Sequence, residues 1–202
     1  AADLEWYINN REEVDRGEKI VGFNCGFYDP YVIDGEFQPQ ARSLGGSWTD
    51  SGVNALSVVA KLLPGLQVVS STFTPDPKSI ASELRATVNL EFPIDSQEES
   101  GFGSIDTNWM LGINQKRTLL RFESGRTVLL DHSQQIVLES TAHGSERLAD
   151  FSTVRPRLTT HYMGVFQDFM RRLANGTDNR DFSMLVHKLL FDARSDDLPK
   201  YH

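Results

Sequence analysis

One cysteine, Cys25, is all that the 202 residues contain. A single thiol excludes an internal disulfide and any cysteine-built zinc site, and it reads as a small apolar residue within a strand. Long hydrophobic runs are missing as well. No stretch approaches the ~18–20 apolar residues that span a bilayer, so a membrane is excluded as a partner. The opening AADLEWYINNREEV lacks the pattern of a signal peptide. Basic clusters are absent: 20 Lys and Arg face 28 Asp and Glu, for a net charge of −8. That field opposes a phosphate backbone and excludes nucleic acid. His132, His143, His187 and His202 are scattered without ligand spacing, so no metal site is expected. There is no internal repeat, no low-complexity segment, and no G-x-G-x-x-G after a strand. A cytoplasmic enzyme or domain fits these exclusions.

What is present is enough apolar residue, 39%, for one substantial core. The chain is organised around residues 44–64, LGGSWTDSGVNALSVVAKLLP. A Gly-Gly turn leads into Val53, Ala55, Leu56, Val58, Val59, Leu62 and Leu63, an apolar stripe at helical spacing that Pro64-Gly65 ends. Asp50, just before the stripe, has two readings. It is the ordinary type of helix cap, satisfying a free N–H of the first turn. It also stands one turn ahead of Asn54, so a carboxylate and a carboxamide share a face and can take a proton from, and hold, one hydroxyl.

Residues 3–16 read as a helix with Leu4, Tyr7, Ile8 and Val14 on its buried side, stopped by Gly17. Residues 18–27 follow as a buried strand. A helix running into a strand is half of an α/β repeat, and the chain opens at Ala1-Ala2 without methionine. The expectation is a processed or cut chain, with residues 1–27 a remnant of an upstream domain and 28–202 the main unit. Residues 33–43 read as a loop. Strands are expected at 66–73, 84–92, 103–111, 118–123, 127–130 and 135–138, with a hairpin turn at Glu123-Ser124-Gly125-Arg126. Closely spaced strands and short turns give an α+β fold: a predominantly antiparallel open sheet with helices packed on one face. The other face meets water, a second sheet or another subunit, with Val128, Leu130, Ile136 and Leu138 as its candidate residues. Residues 158–175 return to helical period, with Tyr162, Val165, Phe166, Phe169, Met170 and Leu173 on one face, and residues 182–190 form a shorter helix. The acidic run at 95–99 reads as a solvated loop.

Three stretches together resemble the C-terminal domain of the glucose–fructose oxidoreductase and inositol dehydrogenase family, nearest to its aldose (galactose or arabinose) 1-dehydrogenases. The first is Asp50-Ser51-Gly52-Val53-Asn54-Ala55-Leu56-Ser57, similar to the family's Asp-x-Gly-x-Asn-Ala-Leu-Ser. The second is Ser104-Ile105-Asp106-Thr107-Asn108-Trp109 with Phe122-Glu123-Ser124-Gly125, although the usual Asp-Trp pair is here interrupted by Thr107 and Asn108. The third is His161-Tyr162 through Phe166 and Phe169 to Asn175-Gly176. The resemblance implies a Rossmann domain with a glycine-rich loop and a Glu-Lys-Pro motif, neither of which occurs in this chain: Glu18-Lys19 is followed by Ile20, and Lys19 inherits no role.

The resemblance further implies a complete enzyme that oxidises the anomeric carbon of an aldose with NAD or NADP, neither of which this chain is expected to bind tightly alone. Asp50 is then the candidate proton acceptor and Asn54 the partner holding the same hydroxyl. An Asn cannot titrate, which directs the proton to Asp50. Trp48, Asp106, Trp109 and Tyr162 are candidate sugar contacts. For Trp109 and Tyr162, packing is the competing reading. The resemblance also implies a homo-oligomer formed through the sheet face. The alternative from a different class is a non-catalytic sugar-binding or oligomerisation module.

Overall fold

The computed structural model describes residues 1–34, 36–76, 79–94, 99–153 and 157–195. His202 and positions 95–98 of the acidic run lie outside them. Its frame is one eight-stranded sheet. The strands are β1 (Ile20–Tyr28), β4 (Gln67–Asp76), β5 (Ser79–Pro93), β6 (Ser100–Asn108), β7 (Gln115–Phe122), β8 (Thr127–Asp131), β9 (Ile136–Thr141) and β10 (Gly144–Asp150), in the order β10-β9-β8-β7-β1-β6-β5-β4. A separate two-stranded ribbon, β2 (Val32–Ile33) with β3 (Glu36–Phe37), stands where a plain loop was expected.

Every pairing in the large sheet is antiparallel except β1 with β6. β1 lies mid-sheet, between β6 and β7. Phe23, Cys25 and Phe27 point from it into the core, and Tyr7 and Val14 of the preceding helices join the same core. β1 is thus a central strand of this sheet, and the two helices before it pack on the same core.

Strand alternation behaves as expected on β5, where Ala86, Val88, Leu90 and Phe92 are all buried. The open face is composed otherwise than expected. Val128 and Leu130 are buried on the helix side, while Ile136, opposite Asp131, is buried on the face of Leu138. The paired Leu119, Leu129 and Leu138 are half-buried and face outward, and Phe102 on β6 is exposed. A one-residue change of parity exchanges the faces, and sequence alone leaves that parity open where two neighbours are both apolar. Strand β10 went unseen because SERLAD is a polar edge strand with no apolar alternation.

The helical side comprises α1 (Ala2–Asn9), α2 (Arg11–Asp15), a 3-10 turn (Pro39–Leu44), a π turn (Trp48–Gly52) continuing into α3 (Val53–Leu62), α4 (Arg157–Asn175) and α5 (Arg180–Ser195). The single helix expected over 3–16 is broken at Asn10, whose side chain bonds back to the Trp6 carbonyl at 2.8 Å. Ala55, Leu56, Val59 and Leu62 bury the stripe of α3, and Val186, Leu189, Leu190 and Ala193 of α5 share its core. Helix α4 differs. Phe166 and Phe169 are each 60% exposed, and the apolar face that helical period assigned to a core is turned to solvent.

Buried polar pins join the layers. Arg126 on the β7–β8 hairpin pairs with Glu139 at 2.7 Å and Glu18 at 3.1 Å, donates to the carbonyls of Val14 and Asp15, and covers the Phe122 ring. Glu83 of β5 accepts from the Trp48 N–H at 2.7 Å and pairs with Arg194 of α5 at 2.9 Å.

Candidate active site

Because β1 is inserted between β6 and β7, the ends of three strands come together at one edge. Tyr28 is in register with Asn108 on one side and Gln115 on the other. Asp29 and Trp109, just beyond, and Lys116, opposite Phe27, come together at this sheet end. The π turn carrying Asp50 and Ser51 packs on them from the helical side.

Trp109 anchors the floor. Its N–H donates to the Leu84 carbonyl and its own carbonyl accepts from Val32. Its ring is fully buried, meeting Tyr31 edge-on at 4.8 Å with Phe37 at 6.0 Å. The indole Nε1–H donates to Ser51 Oγ at 3.2 Å, and the Ser51 hydroxyl donates to Asp29 Oδ2 at 2.8 Å. Lys116 Nζ donates to Asp29 Oδ1 at 2.6 Å and to Asn114 Oδ1 at 2.8 Å. Two strand ends, a loop and a helical turn are thus held by one chain of hydrogen bonds.

Asp50 stands half-buried at the rim of this cluster. It is no helix cap: the helical path begins at Ser47, and the Asp50 N–H already bonds to the Gly46 carbonyl at 3.1 Å. Its side chain is free of capping duty. Burial raises the Asp50 carboxyl above its ordinary range, the neighbouring Asp29 charge raises it further, and Lys116 and a hydrogen bond from Ser51 act the other way. Burial likewise raises the Tyr31 phenol, helped by Asp50 and Asp29. A carboxylate of raised proton affinity at an accessible rim is equipped to receive a proton.

The other candidates from the sequence fare unevenly. Asn54 is exposed one turn beyond Asp50, with its Nδ2 committed to the Asp50 backbone carbonyl at 2.9 Å. Trp48 cannot stack on a ligand: it is fully buried, and its Nε1 donates to the Leu190 carbonyl at 3.0 Å. Asp106 lies on the open face, away from the helical turn, where Thr87 donates to it at 2.8 Å and Arg85 at 3.0 Å. Trp109 reaches the cluster, but as its buried floor. Tyr162 is 67% exposed on α4 and belongs neither to this cluster nor to a core. The helical spacing that suggested a buried face there is real, but Tyr162, Phe166, Phe169 and Leu173 along it are all exposed.

Asp29 and Lys116 were missed. Asp29 passed as a turn residue before Pro30. Lys116 left a signal: it occupies the core-facing register of β7, opposite Phe27 and in line with Thr118, Leu120 and Phe122, where an apolar residue is expected. A hollow of about 690 Å³ between α1 and α4 is lined by residues including Leu4, Ile8, Lys61, Val165 and Asp168. It lacks the hydrogen-bonded buried polar groups of the Asp50 cluster, and the latter is the candidate site.

No protein-family model matches the chain, and no curated protein matches it by sequence. Solved structures do match its fold. UDP-N-acetylglucosamine 3-dehydrogenase GnnA from Acidithiobacillus ferrooxidans superposes with a TM-score of 0.70 at 12% identity, over 96% of this chain and 58% of that one. An oxidoreductase from Agrobacterium radiobacter in complex with NAD+, L-tartaric acid and magnesium gives 0.67 at 15%, over 96% and 60%. A mutant of KijD10, a 3-ketoreductase from Actinomadura kijaniata, in complex with TDP-benzene and NADP, gives 0.66 at 14%, over 98% and 59%. The fold is one found in solved oxidoreductases, and the chain spans about 60% of their length.

Proposed function

We propose that this chain is the substrate-binding part of an NAD(P)-dependent oxidoreductase acting on a sugar, related to the glucose–fructose oxidoreductase and inositol dehydrogenase family. The observation that carries the reading is Asp50, a half-buried carboxylate beside Asp29, at the open rim of a cluster otherwise closed by hydrogen bonds. Oxidising a carbon that bears a hydroxyl makes that hydroxyl acidic, so a base must stand ready to take its proton. Asp50 is that base in our reading, and the exposed Asn54 borders the same rim. An aldose, oxidised at its anomeric carbon, is the substrate we favour from the Asp50–Ser57 motif.

Among the described residues no glycine-rich turn joins a parallel strand to a helix in the manner that cradles a pyrophosphate. In our reading the oxidant is held by a further unit, and this chain supplies the base, the frame and a wall of the site. No helix among the described residues is long and apolar enough to cross a membrane, and we place the protein in the cytoplasm. The open sheet face, with Phe102, Leu119, Leu129 and Leu138, is our candidate for pairing between copies.

The test is sugar-dependent formation of NAD(P)H by the full-length protein over a panel of aldoses, inositols and nucleotide sugars. Asp50→Asn should lower kcat by about 10²–10⁴-fold. Wild-type turnover in that variant would refute the assignment. Sugar affinity without any cofactor-dependent turnover would favour the second reading, a non-catalytic sugar-binding module.

A further inference from the structure

We propose that Lys116 is the electrostatic positioning residue of this site: by binding Asp29 it lets two carboxylates share one corner while Asp50 alone stays open to a substrate hydroxyl. The inference rests on reading Asp50 as the proton acceptor.

The geometry is specific. Both oxygens of Asp29 are engaged, one by Lys116 at 2.6 Å and the other by Ser51 at 2.8 Å. Asp29 is thereby an anchor whose oxygens are both taken. Lys116 in turn has three acceptors around its ammonium: Asp29, Asn114 at 2.8 Å and the Tyr28 carbonyl at 3.5 Å. Its side chain is 14% exposed, so its charge acts through protein rather than through bulk water. A lysine this enclosed, at a strand position that calls for an apolar side chain, is costly unless its charge is used.

The charged and titratable groups bearing on Asp50 are few. Asp29 and Tyr31 come from the segment after β1, and Lys116 comes from β7. Arg194 of α5 approaches the same turn but is engaged by Glu83 and Thr49. Without Lys116, two like charges would face each other across the site. Asp29 would lose its anchor, and Ser51 and the turn bearing Asp50 would lose a fixed partner. Lys116 holds its three acceptors already, so it acts on Asp50 by charge and by holding Asp29, not by touching substrate.

The experiment is a carboxyl-carbon NMR titration of Asp50 in this chain, assigned by the signal lost in Asp50→Asn. Lys116→Met should move the Asp50 midpoint upward by about one pH unit. Lys116→Arg, which keeps the charge, should stay close to wild type, and Asp29→Asn should move it downward. An unmoved midpoint in folded Lys116→Met, or equal movement in the Met and Arg variants, overturns the proposal. Should Lys116→Met fail to fold, the neutral double variant Asp29→Asn/Lys116→Met decides. Its Asp50 midpoint should exceed that of Asp29→Asn alone, and equality would overturn the proposal. The titration needs neither substrate nor cofactor. If an Asp50→Asn enzyme still turned over, the base assignment would fail while Lys116's hold on Asp50 could stand.

Discussion

Gly52 lies against the buried Trp48 ring, so closely that a Cβ built on it would sit 2.4 Å from the indole. Its backbone is ordinary right-handed helix, with φ −66°. The glycine is required by the tryptophan's volume and not by backbone conformation.

Gly52→Ala should therefore destabilise the chain by about 1–3 kcal/mol, although alanine is the better helix former by about 1 kcal/mol. Chemical denaturation checks it. A stabilised variant would mean that Trp48 can move away.

Trp109→Phe removes the indole N–H that Ser51 accepts at 3.2 Å. The expected loss is about 1–2 kcal/mol of stability, with weakened substrate binding because Ser51 and Asp29 lose their shared frame. Thermal melting, with ligand titration beside it, reads both effects.

Asp50→Asn should stabilise the fold at neutral pH. Burial and Asp29 raise the folded carboxyl, so the native state holds a proton that the unfolded chain has already released. Stability then falls as pH rises from the unfolded to the folded value, and the full penalty persists above. Removing the carboxyl should lift Tm at pH 7 by about 1–3 °C, and the gain should vanish below about pH 3.5. Equal melting of both proteins at pH 7 would contradict the sign.

Arg126→Met should cost about 3–5 kcal/mol, because Glu139 stays buried without its close partner and the carbonyls of Val14 and Asp15 lose their donor. Arg126→Lys should recover little, since a single ammonium cannot reach these acceptors and also cover the Phe122 ring. Urea melts of both variants settle it.

Phe166→Ser with Phe169→Ser should leave stability within about 0.5 kcal/mol, because neither ring is packed in a core. Self-association at high concentration should fall, as read by sedimentation. A large loss of stability would show that α4 is held against the body in solution.

Periodicity disclosed most of this fold, because burial enforces it: β5 and α3 show their inward faces plainly. It could not say whether such a face is buried, and on α4 the residues of the stripe are exposed. The polar edge strand β10 left no pattern at all. For the site, Asp50 could be located from its place before α3, yet its freedom from capping depends on where the π turn begins, which no spacing reveals. Asp29 and Lys116 lie in separate segments that only the insertion of β1 brings together. Such a contact is set by topology and has no local signature.

That insertion also sets a schedule for assembly. Asn24 must wait for Ser104, 80 residues later, and for Arg121, 97 residues later, before β1 has a neighbour on either side. During synthesis its apolar Phe23, Cys25 and Phe27 emerge before β6 and β7 and stay unpaired until those strands follow. Folding dominated by such distant pairings is slow, and a waiting strand is open to wrong partners. The wedge that brings the site together at the sheet's end is thus also the step at which a newborn chain is most exposed to aggregation.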